Sequence, residues 1–192
     1  TGVGGKIPVP PDFFFDVDMW AMLAKATEKT QRPFLKRCIR KAGAILEMSS
    51  PGAYLYGMAR KLLEGYCGCG LAFDEQREDL AKLFSLIPGV DVSSLERALD
   101  SVEVFQKYNN ALHKRDSGKL LYSTADVPEV FSDLGYESMD YSSLASDKPT
   151  LLEFIARYRF IEAVRSHTIT REHVAPLIQR YSAELGEASK LY

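Results

Sequence analysis

Apolar residues recur at helical spacing along most of this chain. From Phe34 to Met48, the residues Phe34, Leu35, Cys38, Ile39, Ala42, Ile45 and Leu46 share one face of a 3.6-residue period. Lys36, Arg37, Arg40 and Lys41 hold the other side, which predicts an amphipathic helix. Before it, Asp16 or Asp18 caps a helix through Trp20, Met22, Leu23 and Ala26 to about Thr30, and Pro33 restarts the chain at a first-turn position. Ser49-Ser50-Pro51-Gly52 starts another helix, with Tyr54, Leu55, Met58, Leu62 and Leu63 on one face. The glycines at 65, 68 and 70 are expected to end it, because glycine disfavours helix.

Two further amphipathic segments follow. Asp74 caps the first, with Leu80, Leu83 and Phe84 inward, and Ile87-Pro88-Gly89-Val90-Asp91 connects it to the second. Ser93 or Ser94 caps that second, long helix over residues 93–115, whose Leu95, Leu99, Val102, Phe105 and Leu112 stand at near-heptad spacing. Such spacing suits a helix lying along other helices for several turns. From 119 to 148 periodicity weakens and Ser, Asp, Gly and Tyr dominate, so a loop-rich connector is expected. Pro149-Thr150 then opens a helix with Leu151, Leu152, Ile155, Tyr158, Ile161 and Val164, and Thr170 opens a last one through Val174, Leu177, Ile178, Tyr181 and Leu185. The expected fold is all-α, an elongated helical bundle or a set of helical hairpins. Its parts are an extended arm (1–15), a helical region (16–118), the connector (119–148) and a C-terminal helical hairpin (149–192). No internal repeat stands out at helical-array periods.

Composition narrows the class. With 46% hydrophobic and 26% charged residues, the 192-residue chain is globular in character. Its 24 basic and 26 acidic residues give a net charge of -2, whereas a dedicated nucleic-acid binder is usually far more basic. No apolar run approaches the roughly 18 residues that cross a bilayer, so any membrane association is expected to be peripheral. Three cysteines without regular spacing favour a reducing, intracellular compartment. The opening at Thr1 is consistent with removal of an N-terminal segment.

Candidate chemistry is thin. Gly4-Gly5-Lys6 and Gly118-Lys119 resemble fragments of a phosphate loop, but Ile7 and Leu120 stand where that motif needs Ser or Thr. Cys67 and Cys69 offer two thiolates where a closed zinc site wants four ligands. His167 and His173 sit at a helix end and a helix start, positions that call for no acid–base role. We therefore assign no catalytic, cofactor-binding or metal-binding residue from the sequence.

Surface character is more informative. Lys25, Lys29, Arg32, Lys36, Arg37, Arg40 and Lys41 face a single acid, Glu28, over this stretch. The stripe reads as a solvated helix face, as a contact for the phosphates of RNA or anionic lipid, or as a dock for an acidic partner. Phe13, Phe14 and Phe15 cannot all point to one side of a regular element, so at least one is expected to meet a partner or cap the core.

The order of these features resembles subunit d of the mitochondrial F-type ATP synthase, a family of helical peripheral-stalk components. Asp18-Met19-Trp20 stands for the family's opening Trp-containing helix, Ser50-Pro51-Gly52-Ala53-Tyr54-Leu55-Tyr56 for its paired-tyrosine segment, and Phe73 to Asp91 for its helix and apolar-Pro junction. Residues from Leu95 to Leu112 stand for the stalk helix, and Phe131-Ser132-Asp133 with Met139-Asp140 and Leu144 for its Phe-Asp segment. The chain departs from the pattern in lacking a Trp beside the tyrosines, in the turn from Cys67 to Gly70 and in its helices after Pro149.

The resemblance implies a non-catalytic stator subunit on the matrix side of the mitochondrial inner membrane, built to resist torque by helix packing and partnered by other subunits of the complex. Its expected partner surface is Phe13, Phe14, Phe15, Trp20, Lys36, Arg37, Arg40 and Lys41, with Leu95, Leu99, Val102 and Phe105 of the stalk helix. The alternative is a helical RNA-associated or ribosomal accessory protein that uses the basic stripe at 25–41. A small helical enzyme would require a pocket that the sequence does not announce.

Overall fold

The computed structural model describes residues 10–68, 74–93, 114–116, 119–121, 139–166 and 168–190. A 3-10 turn, Pro11–Phe15, leads into α1 (Val17–Leu23), α2 (Gln31–Leu46) and α3 (Pro51–Gly68). After α4 (Asp74–Phe84) comes a short antiparallel ladder of β1 (Lys114–Asp116) with β2 (Lys119–Leu121). The helices α5 (Tyr141–Ser146), α6 (Lys148–Arg165) and α7 (Arg171–Ser189) complete the order. Among the described residues the architecture is all-α apart from that ladder, as the helical spacing predicts. The chain forms two compact units, Thr1–Pro51 with Ala145–Tyr192, and Gly52–Leu144.

In the first unit, α6 packs on both α2 and α7. The start of α6 lies near the end of α2, since Lys148 shares a cleft with Leu46 and Glu47. The end of α6 lies near the start of α2, where Ala163 shares another cleft with Phe34. The two helices are thus antiparallel. α6 buries Leu151, Leu152, Phe154, Ile155, Ala156, Tyr158, Phe160 and Ile161, which surround its axis instead of forming one stripe, as expected of a helix with neighbours on several sides. α2 buries the predicted face, Phe34, Leu35, Cys38, Ile39, Ala42 and Ile45, except for its last member, Leu46, which is half-buried. Each fully buried side chain of this size stabilises the fold by about 1.5–3 kcal/mol relative to exposure. The hairpin of α6 and α7 expected over 149–192 therefore packs on α2 of the same chain.

Pro11–Phe15 and α1 contribute to this core as well. Phe14, Trp20 and Tyr181 are fully buried. The Trp20 ring meets Tyr181 edge-on at 5.3 Å and Phe13 at 5.5 Å between centroids, and aromatic pairs in this arrangement contribute beyond their buried area.

Local chemistry places the helix ends. Asp16 Oδ1 accepts from the amides of Asp18 and Met19, both at 3.0 Å, so Asp16 is the cap of α1. α1 ends at Leu23, earlier than the periodicity predicts. Lys25 takes a left-handed conformation (φ 49°), Ala26 N donates to Ala21 O at 2.8 Å, and Lys25 N donates to Met22 O at 3.1 Å. That is a Schellman termination, with lysine where glycine is usual. α2 begins at Gln31, three residues before Phe34, and Pro33 falls in its first turn, where its missing N–H would have had no helical partner.

The second unit is described more briefly. α3 buries Leu55, Met58, Ala59, Leu62 and Leu63, and α4 buries Leu80, Ala81, Leu83 and Phe84. α3 continues through Gly65 and Cys67 to Gly68, within the glycine run expected to end it. Glycine weakens a helix by about 1 kcal/mol relative to alanine without forbidding it. Gly52 packs against α5: a Cβ there would stand 3.0 Å from Ser142 Oγ and 3.3 Å from Ser142 N. Tyr56 meets Tyr141 edge-on at 5.6 Å.

The Ile87–Val90 connector is a tight turn. Val90 N donates to Ile87 O, Pro88 follows Ile87, and Gly89 supplies the positive φ of 84° that a type II turn requires. Beyond it, Asp91 Oδ1 accepts from Ser93 N at 3.0 Å, so Asp91 takes the capping role expected of Ser93 or Ser94. Most of the expected helix 93–115 lies outside the described residues, and its last two positions, Lys114 and Arg115, are in β1. The expected connector contains α5, capped by Asp140 Oδ1 on the amides of Ser142 and Ser143.

Candidate functional site

Five of the sixteen residues of α2 are basic and none is acidic. Burying the opposite face fixes where these cations point. Lys36, Arg37 and Arg40 are exposed and Lys41 is half-buried. Arg32 belongs to a different environment. Its Nη2 donates to Asp18 Oδ1 at 2.7 Å and its Nη1 to the Glu28 carboxylate at 2.8 and 2.9 Å. The hydrogen bonds it donates to Asp18 and then to Glu28 raise the guanidinium's pKa above its ordinary value. Among the described residues, no carboxylate pairs with Lys36, Arg37 or Arg40, although Arg157 and Arg159 on α6 each have one.

Two clefts flank this cationic face. One, of about 440 Å³, lies between Phe34 and Arg37 of α2 and Arg159, Glu162 and Ala163 of α6, with Ser166, Thr168 and Ile169 completing its lining. The other, of about 630 Å³, has an apolar lining of Phe15, Val17, Ile39, Gly43 and Leu46, together with the charged Asp12, Arg40, Glu47 and Lys148.

The expected partner residues divide. Phe14 and Trp20 are core residues of this chain, so their apolar surface is not available to a partner, and Phe14 is the phenylalanine that caps the core. Phe13 is half-buried on Phe14 and Trp20, while half-buried Phe15 borders the larger cleft. Lys36, Arg37, Arg40 and Lys41 stand together on α2. Leu95, Leu99, Val102 and Phe105 lie outside the described residues.

Other motifs remain apart. Gly4-Gly5-Lys6, Gly118, Cys69 and His167 lie outside the described residues, and Cys67 is in α3. His173 Nδ1 meets Thr170 Oγ1, and its backbone carbonyl accepts from Gln31 Nε2 at 2.7 Å. Among the described residues, no three His, Cys, Asp or Glu side chains converge in a metal-binding group, and no helix is long and apolar enough to cross a membrane.

Two features escaped the sequence reading. Arg159 lines a cleft with Arg37, from which it is 122 positions distant, and Gln31 with Arg180 forms a buried polar connection. Only their residue type was visible in advance; their meeting depends on how α6 and α7 pack. Compared with protein-family models, curated proteins and solved structures, the chain matches none.

Proposed function

We propose that this chain is a non-catalytic structural subunit of a mitochondrial membrane complex, a stator component of the peripheral stalk of an F-type ATP synthase, acting peripherally from the matrix side. The order of sequence features motivates the choice of complex. The observation that carries a docking role is α2 itself: one face is buried in the unit, and the other presents Lys36, Arg37 and Arg40 with no carboxylate partner among the described residues. A subunit that transmits force needs a rigid body with a charged or apolar face for its neighbour, and a helix held by α6 behind it meets that need. The near-heptad positions Leu95, Leu99, Val102 and Phe105 supply the apolar contact in this proposal.

The same cationic face suits RNA phosphates, and the two readings differ in salt response. RNA binding through several phosphates weakens by orders of magnitude between about 50 and 200 mM salt, whereas association through apolar surface persists. The test is a native pull-down of the tagged chain from its source membranes in mild detergent, with and without the pair Lys36→Glu and Arg40→Glu. Recovery of ATP synthase subunits by the wild type and their loss from the double variant is the expected result. Recovery of ribosomal proteins or RNA, lost as salt rises, replaces the stator reading, and a partner-free monomer removes both.

A further inference from the structure

The smaller cleft between α2 and the end of α6 has features of a ligand site, and among its lining residues only Arg37 also belongs to the docking face. Its lining includes the apolar Phe34, Ala163 and Ile169 together with two arginines from different helices, Arg37 and Arg159. Glu162 Oε2 accepts from Arg159 Nη1 at 2.9 Å, and Arg37 has no carboxylate partner among the described residues, so a positive charge remains over. The volume, about 440 Å³, falls within the range of small-molecule sites, which combine apolar walls with a few convergent polar groups.

One effect opposes an anion here. The cleft adjoins the C-terminal end of α6, whose free carbonyls carry partial negative charge. Two of those carbonyls are covered. Ala163 O accepts from Thr168 N at 3.1 Å and from the hydroxyls of Ser166 and Thr168 at 3.0 Å each, while Glu162 O accepts from Ser166 N at 3.0 Å. With Arg159 paired to Glu162, the unpaired charge lining the cleft is that of Arg37. Both arginines also act on Cys38 nearby, drawing its thiol down against the larger upward effect of burial.

The committed donors carry further information. The Ser166 and Thr168 hydroxyls also lie 3.0 Å from each other, so their two protons are taken up by Ala163 O and by one another, and lone pairs on these cleft-lining residues remain to accept from a ligand bearing hydroxyl groups. We infer that this cleft binds a phosphate monoester carried on a small hydroxylated body, its phosphate bridging Arg37 and Arg159 and its body lying on Phe34 and Ile169. Arginine is suited to this role because its planar fork donates two parallel hydrogen bonds to phosphate oxygens.

Titration calorimetry of the full chain with inorganic phosphate, ribose 5-phosphate and vesicles containing phosphatidic acid tests the site. Saturable one-to-one binding of ribose 5-phosphate is expected, about tenfold weaker in Arg37→Gln and in Arg159→Gln, and unchanged within about twofold in Lys36→Gln. Both arginines are partly exposed, and circular dichroism checks that each variant keeps its helicity. Vesicle binding with the same Arg37 dependence, in place of ribose 5-phosphate binding, retains the phosphate site and assigns its source to a lipid headgroup. No saturable binding of any probe, or equal weakening by Lys36→Gln and Arg37→Gln, overturns the inference.

Discussion

Arg180 on α7 donates from Nε to the backbone carbonyl of Ala24 at 2.7 Å, joining the end of α1 to a helix 156 positions later in the chain. Its Nη2 reaches Gln31 Oε1 at 3.3 Å, and Gln31 in turn accepts from Thr27 N at 3.0 Å and donates to His173 O at 2.7 Å. Gln31 is only 8% exposed. Two side chains thus satisfy backbone groups where α1 stops, α2 starts and α7 starts. Arg180→Ala and Gln31→Ala should each lower stability by about 1–3 kcal/mol, since each strands polar groups inside the unit. In a double-mutant cycle read by urea denaturation, their effects should couple by at least about 0.5 kcal/mol; simple additivity would mean the two act separately.

Lys25 occupies the left-handed position of the Schellman turn after α1. A residue with a Cβ pays a conformational penalty there that glycine avoids. Lys25→Gly should raise the free energy of unfolding by about 0.5–1 kcal/mol, measurable as a higher midpoint at unchanged m-value. The backbone carbonyl that faces Arg180 is unaltered by the substitution. A loss of stability would show that the lysine side chain has a role of its own.

The hydroxyl of Tyr181 is buried without a hydrogen-bond partner among the described residues. Removing an unsatisfied buried polar group relieves a desolvation cost, so Tyr181→Phe should be neutral or stabilising by up to about 1 kcal/mol. Thermal unfolding decides this. A loss larger than about 1 kcal/mol would reveal a partner such as an ordered internal water.

Alkali should destabilise the first unit. Burial pushes the Cys38 thiol up to about 12 from its ordinary 9.0, and burial likewise holds the Tyr181 phenol well above 10.0. In the unfolded chain both groups lose their protons first, so from about pH 9 upward the unfolded state binds fewer protons than the folded state and stability falls as pH rises. Each group then contributes a slope approaching about 1.4 kcal/mol per pH unit until its folded value is reached. Urea titrations between about pH 8 and pH 10.5 should show this decline, and Cys38→Ala should flatten its first part. An unchanged slope in that variant would place the titrating group elsewhere. Peptide-resolved alkylation should also find Cys38 protected until the chain unfolds.

The buried face of α2 was legible because its period is local and unbroken from Phe34 to Ile45. Pro33 and Asp16 were legible for the same reason: first-turn proline and a capping aspartate act within four residues. The end of α1 was not, because a left-handed Lys25 carries no signal of the kind glycine gives. α5 was hidden in a Ser-, Asp- and Tyr-rich stretch, where one turn and a half of helix depends on Asp140 as cap and on contact with Gly52. The meeting of Arg37 with Arg159 was illegible in principle, since neither residue's neighbours in sequence mention the other. Phe14 and Trp20 looked like surface anchors for a partner, and burial within the unit is what makes them core instead.

The discontinuous first unit has a consequence for how the protein is made. α2 emerges during synthesis roughly a hundred residues before α6, the helix that covers its apolar face. Closing so long a loop costs only modestly more entropy than closing a short one, so the finished unit is not penalised much. The nascent chain, however, carries Phe34, Leu35, Ile39 and Ile45 uncovered for the whole interval, a state prone to misassociation. Chaperone dependence during translation, followed by rapid completion once α6 and α7 are available, is the behaviour this connectivity imposes.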